Sequence, residues 1–482
     1  MIAATIGGTF LKAYNAKNGT SYTAKEFVDE VFFEYFFNHP KYMLWPGNSP
    51  FVQMSSRKED KTRGKQTVEN LSPEERLEKL EELHKKISSG IIDASTAIGY
   101  PPSEVKEFSS VSGLLTDMPI DIDEETIYKT WIGGGLSIGV QGGMAIYLND
   151  EDILLRIFEG WKVYRGLLND VSINVLGNKI TTWNGQWLNF RYNEREYRED
   201  FDYAILDNLG FFKSSDKGLE IKTVSWSRLF ISLSKEYADK KIMGYVHSLG
   251  QTNTTLGFYP FYFSKARGIM SMYRKLFGES AFISDRKTYE NLFGRHIKRV
   301  CELGSFGLKA LEPEKLRDFY KKDKFLNLKK PNYDIKKGES DIEYEDRKKG
   351  LKQKDRDNLI IYRTYKTWLV SMITKNKKEM LDYTTKVAEV LLRYRDRSNK
   401  KTDRVNLLKK ELLVANNKKK FLESLVEVLS TTISDSNTMK VDENDFTILN
   451  DLKEKVHMMT AEDFRYFVVL LRFDYTFKER EQ

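Results

Sequence analysis

The residues best suited to phosphodiester chemistry are Glu220-Ile221-Lys222. On a strand, Glu220 and Lys222 point to one face. With Asp207 or Asp216 upstream, a carboxylate pair and a lysine hold Mg²⁺ and orient a water on a phosphodiester. A Mg-dependent nuclease using Glu220 and Lys222 is therefore one reading, although a Glu-x-Lys tripeptide recurs by chance on amphipathic strands. Other catalytic patterns are missing. The histidines at 39, 84, 247, 296 and 457 are scattered and form no His-Glu-x-x-His. The one cysteine, Cys301, builds neither a disulfide nor a thiolate zinc site. No Gly-x-Ser-x-Gly elbow occurs. The expectation is a non-enzyme with no catalytic residue, no metal site and no cofactor.

Residues suited to binding are more numerous. The run from Trp131 to Gly143 is rich in glycine. Its backbone N–H groups offer themselves to phosphates. No Gly-Lys-Ser or Gly-Lys-Thr closes a P-loop, and the spacing is wrong for a dinucleotide fold. Two readings stay open: a loop against a nucleic-acid backbone or minor groove, or close backbone packing beside a strand. On the first, Gly133, Gly134, Gly135, Gln141 and Gly142 are candidates. In the segment from Lys179 to Arg195, Asn184 and Gln186 carry amides that read base edges. Lys179, Arg191 and Arg195 suit phosphates. Trp183 and Trp187 read as core before they read as stacking platforms. From His247 to Arg274, Gln251, Asn253, Thr254, Thr255, Lys265, Arg267 and Arg274 line a groove or form a polar loop followed by a helix. Arg393, Arg395, Arg397, Lys400, Lys401 and Arg404 form one basic run.

The elements that must position these residues are of mixed type at first. Phe33, Phe36 and Phe37 have helical spacing, and Pro40 ends that helix. Residues 46–70 read as a loop. A helix over 72–89 has Ser72 as N-cap, Pro73 at its first position and Glu75 completing a capping box, with Gly90 after it. Leu77, Leu80 and Leu83 are its expected apolar face. Asp150 caps a second helix over 151–168, with Ile153, Leu154, Ile157, Trp161 and Tyr164 inward. Strands are expected at 144–148, 171–175, 179–183 and 220–224, with a hairpin turn at 176–179. Residues 327–356 are lysine- and turn-rich and read as a basic linker or loop. Beyond them the apolar spacing is purely helical, with helices at roughly 404–415, 419–433, 442–457 and 461–474. The fold class is α+β: an irregular mixed N-terminal domain, 1–326, and an all-α C-terminal helical bundle, 357–482.

Composition sets the function class. The chain has 482 residues and a formal charge of +8, but residues 331–420 alone hold 25 Lys and Arg against 14 Asp and Glu. Charge concentrated in a domain-sized stretch reads as a polyanion site, the alternative being a solvated, solubilising face, and its extent favours the first. No apolar run has the length of a membrane span, and the first residues lack a charged n-region, so a cytoplasmic protein is expected.

Taken together, Thr9 to Asn15, Asn38-His39-Pro40-Lys41-Tyr42-Met43, Gly47 to Pro50, Gly134 to Gly143, and Trp183-Asn184-Gly185-Gln186-Trp187 resemble the large subunits of type I CRISPR effector complexes (Cascade). The resemblance runs along the whole chain. It implies a non-catalytic subunit of an antiviral ribonucleoprotein, with a guide crRNA, target double-stranded DNA and Cascade backbone subunits as partners. Such a subunit reads the protospacer-adjacent motif, helps open the duplex, stabilises the R-loop and recruits a helicase-nuclease. Base pairing reads the rest of the target. The resemblance makes the glycine segment the first candidate for the flanking duplex, with Gln141, Asn184 and Gln186 at bases or as a wedge. The C-terminal bundle is similar to the small subunit that cradles displaced DNA. In some members the bundle is also made from an internal start; Met372 would begin such a product here, though it falls within a helical pattern.

Overall fold

Two glycines let the first helix of the chain cross closely over another more than a hundred residues on. Gly7, in the helix Ile2–Asn18, meets Gly133, in the helix Glu124–Gly134. A Cβ on Gly133 would lie 1.9 Å from the Ala3 carbonyl oxygen, and one on Gly7 would lie 2.0 Å from the Lys129 carbonyl oxygen. Only hydrogen fits at both crossing points. Around this crossing the apolar residues of the N-terminal region converge. Phe10, Phe27, Phe32, Phe36 and Trp161 are all buried and in edge, stacked or tilted ring contact.

The computed structural model describes residues 1–52, 54–60, 65–100, 121–193, 195–249, 255–321, 323–373, 377–397, 401–436 and 443–482. The chain divides into two compact units. The first holds Met1–Ser264 and Ile297–Phe306; the second holds Lys265–His296 and Gly307–Gln482. The fold is α+β, with short antiparallel strands confined to the first unit among the described residues.

In the first unit, β1 (Ser55–Asp60) pairs with β2 (Lys65–Asn70). The loop expected over 46–70 therefore contains a two-stranded ribbon, held by backbone pairing that leaves no apolar alternation to read. Strands β3 (Ile138–Val140) and β4 (Met144–Leu148) open a four-stranded sheet. A separate hairpin joins β5 (Phe212–Ser215) to β6 (Gly218–Ile221). Strands β7 (Lys241–Ser248) and β8 (Thr255–Tyr262) complete the sheet in the order β3-β4-β7-β8. The helix Pro73–Ser88 has the expected capping box, and Gly90 follows with φ 75°. Leu80, Leu83 and Ile87 are buried, but Leu77 is exposed. The helix Glu151–Asn169 buries all five expected residues.

Two expected strands are not formed. Val171 is exposed, and Val175 makes only an isolated bridge to Leu219. Residues 180–183 begin the helix Ile180–Arg191, preceded by Asn178 at φ 57° rather than by a hairpin. The β-branched Ile180-Thr181-Thr182 suggests a strand locally. The three- and four-residue spacing of Ile180, Trp183, Trp187 and Phe190 buries four large side chains on a helix, and that burial decides.

The second unit is helical among its described residues. Phe263–Ser284 leads into it, broken by Gly278 at φ 80°. The basic stretch 327–356 is irregular as far as Gly338, then enters the helix Asp341–Met372 through a capping box of Ser340 and Glu343. Lys377–Asp396, Lys418–Ser436, Glu443–Met458 and Ala461–Glu481 follow, with Lys401–Asn406 and the π-helix Leu407–Leu412 between the first two. Thr460 caps the last helix, accepting from the Asp463 N–H at 3.0 Å. A polar cluster is buried inside. Lys366 donates to both Asp474 oxygens at 2.9 and 3.0 Å, while Tyr362 and Thr384 donate to the same carboxylate at 2.7 and 2.6 Å. These four hydrogen bonds satisfy an Asp474 that has no solvent exposure, which offsets the desolvation of the ion.

Candidate nucleic-acid interface

The glycine segment splits into a buried part and an exposed part. Gly133, Gly134 and Gly135 lie inside the first unit. A Cβ on Gly134 would meet Ile98 at 2.7 Å, and one on Gly135 would meet Phe36 at 2.7 Å and Trp161 at 2.8 Å. They serve close packing and present no N–H to a ligand surface. Gln141, Gly142 and Gly143 form the exposed turn between β3 and β4, with φ of 91° at Gly142 and 67° at Gly143. Only glycine adopts both at little strain.

Asn184 and Gln186 stand behind this turn. Asn184 is fully buried, and its amide donates to the Gly135 and Ser137 carbonyls at 2.8 Å each. Gln186 is buried and donates to the Lys222 carbonyl at 2.6 Å. Neither amide reaches a base edge. Both position backbone: Asn184 ties the helix Ile180–Arg191 to the segment leading into β3, and Gln186 fixes the chain beyond β6. Trp183 and Trp187 are core, donating to the Gly160 and Arg156 carbonyls at 2.7 and 2.6 Å.

These elements meet at an open groove of about 400 Å³. Gln141, Lys179, Thr182, Lys213, Glu220 and Lys222 line it. Gln141 is held there by its own backbone N–H on the Val224 carbonyl, at 2.9 Å, and by its amide on the Thr223 carbonyl, at 3.2 Å. Lys213 faces Glu220 across the β5–β6 register, with an ion pair at 2.8 Å. That pair, reinforced by Lys179 and Lys217, holds the Glu220 carboxyl below its ordinary range. Three lysines against one carboxylate leave an excess of cation. Thus the structure brings Gln141, Lys179, Glu220 and Lys222 together and adds Lys213. The alternation around the Asp216-Lys217 turn is the signal that points to it.

The groove lining carries a single carboxylate, Glu220. Asp216 sits in the β5–β6 turn, and neither Asp207 nor Asp216 lines the groove. Among the described residues, no three His, Cys, Asp or Glu side chains converge as metal ligands.

The basic candidates elsewhere are largely engaged. Arg191 pairs with Glu159 at 3.7 Å and stacks on Tyr197 at 4.4 Å. Arg195 is exposed. In the second unit Arg393 and Arg397 pair with buried Asp445 at 2.6 and 2.8 Å. Arg395 is buried among Asp396, Glu479 and Gln482. Arg404 is buried, donating to the Tyr394 carbonyl at 2.6 Å while stacked on the Tyr394 ring. Lys401 pairs with Asp396 at 3.0 Å but keeps most of its side chain exposed. The run that looks like a phosphate track is mainly a set of internal ties. Lys265 and Arg267 are exposed on their helix. Gln251, Asn253, Thr254 and Lys400 lie outside the described residues.

No protein-family model, curated protein or solved structure matches this chain. Among the described residues, no helix is long and apolar enough to cross a membrane.

Proposed function

We propose that this chain is a non-catalytic, cytoplasmic nucleic-acid-binding protein, acting as the large subunit of a type I CRISPR effector complex. One observation carries the nucleic-acid part. The charge divides where the structure divides: the second unit has 47 Lys and Arg against 34 Asp and Glu, a net of +13, and the first unit has a net of −5. A helical unit with that excess is a polyanion partner. The lysine groove beside the Gln141–Gly143 turn is the place in the first unit where a duplex backbone fits. The CRISPR assignment rests on the resemblance, which supplies the guide crRNA, target DNA, backbone subunits and helicase-nuclease as partners.

The test is binding of the purified chain to duplex DNA and to guide RNA across a salt series. Affinity should fall linearly on a log–log plot, with a slope of about 0.9 for each phosphate neutralised on duplex. Lys179→Glu, Lys213→Glu and Lys222→Glu combined should weaken duplex binding at least tenfold, roughly the loss of a few phosphate contacts. Absence of binding to either nucleic acid at low salt would sink the reading. Recovery of Cascade backbone subunits with the tagged chain and guide RNA tests the narrower assignment. Mg-dependent cleavage abolished by Glu220→Ala would replace it with the nuclease.

A further inference from the structure

Strands β7 and β8 bury one face and leave the other partly exposed over Lys241 to Tyr245 and Phe258 to Tyr262. Ile242, Gly244 and Val246 point into the core. A Cβ on Gly244 would meet Phe261 at 2.4 Å, so that side is tightly filled. On the other side the register sets three rungs: Lys241 opposite Tyr262, Met243 opposite Pro260, and Tyr245 opposite Phe258. Phe258 is 58% exposed and Met243 48% exposed. The Tyr245 and Phe258 rings are 5.1 Å apart, and the Lys241 ammonium stands 5.5 Å over the Tyr262 ring. Not one of the six residues is acidic.

We propose that this face is a stacking platform for an unpaired strand of nucleic acid. Aromatic side chains on a sheet surface hold unpaired bases through their π faces, and a lysine beside them meets the phosphate. Size decides against a protein partner. Three rungs on two strands span about 17 Å by 10 Å. That is on the order of 200 Å², against about 800 Å² per partner in a stable protein interface. The strip fits a few nucleotides. The strand that carries it runs toward the lysine groove. The Leu249 N–H, just past β7, donates to the Gly143 carbonyl at 2.7 Å, so the end of the strand abuts the Gln141–Gly143 turn. A strand leaving a duplex held in the groove would meet the rungs next.

The inference deepens the nucleic-acid reading above and rests on it. Fluorescence anisotropy of the full chain, with labelled oligothymidylate and with labelled duplex, separates the two. Phe258→Ala and Tyr245→Ala should each weaken single-strand binding about tenfold. Phe258→Trp should keep it, and Phe258→Ala should leave duplex binding unchanged. Circular dichroism of each variant checks the fold. If the chain binds duplex but Phe258→Ala and Tyr245→Ala bind single strands as the parent does, the platform is wrong and the broader reading stands. If the parent binds neither nucleic acid, both fall. A parent that self-associates, with Phe258→Ala abolishing the association but not single-strand binding, makes the strip a protein contact and overturns the proposal.

Discussion

Asn184 shows how one buried amide separates positioning from contact. Its two donated hydrogen bonds hold the Gly135 and Ser137 carbonyls, so Asn184→Ala strands both acceptors in the interior. Urea denaturation should show a loss of about 2–3 kcal/mol. Gln141→Ala removes one amide at an exposed turn. It should leave the unfolding free energy within about 0.5 kcal/mol of the parent and lower duplex affinity instead. Two histidines set a pH dependence. Burial pushes His39 and His247 below the ordinary histidine value of 6.5. Each proton binds the unfolded chain more readily than the folded one. The stability they confer is complete above pH 6.5 and is lost as pH falls through their lowered folded values. Thermal melts from pH 7.5 to 5 should fall on the acid side, and His39→Gln with His247→Gln should flatten that fall. From sequence the residue types of the groove are readable, but burial is not. Asn184 and Gln186 have amides fit for base edges, and only the folded chain shows those amides already spent on carbonyls.

Elements with strong local signals were legible: the Pro73–Ser88 helix through its capping box, and Glu151–Asn169 through its apolar stripe. Ile180–Arg191 was not, because β-branched residues at its start compete with a helical spacing that matters only once tertiary burial counts. The glycines read two ways for the same reason. A crossing of two helices and a ligand loop both demand a missing side chain. The crossing makes a clear prediction. Gly133→Ala forces a methyl against the Ala3 carbonyl and should lower the stability of the first unit by about 3 kcal/mol or more. Differential scanning calorimetry, with the second unit's transition as internal reference, checks it.

Across the whole molecule, net charge and surface charge part company. The excess over 331–420 is real in the sequence, yet its most conspicuous arginines tie helices together. Arg393→Ala with Arg397→Ala removes both cations from Asp445, which is almost fully buried. Such a loss should destabilise the helical unit on the order of 3 kcal/mol while leaving the slope of the salt series intact. A shallower slope would return these arginines to the nucleic-acid surface. Chain-level periodicity fixed the helical character of this unit. It could not tell an arginine that faces water from one that faces aspartate, because the buried partner of the pair lies far along the chain: Asp445 is 52 positions from Arg393.

The buried Lys366–Asp474 pair bears on how the helical unit can be produced. A ribosome starting at Met372 would leave out the helix that supplies Lys366 and Tyr362 but would still make Asp474. The shortened product would carry an aspartate in its interior without the ammonium that neutralises it. Such an orphaned charge destabilises by roughly 3–5 kcal/mol, a large part of what holds a domain of that size together. A separately translated bundle would therefore need to start ahead of the Asp341–Met372 helix, or to borrow a cation from a neighbour in an assembly.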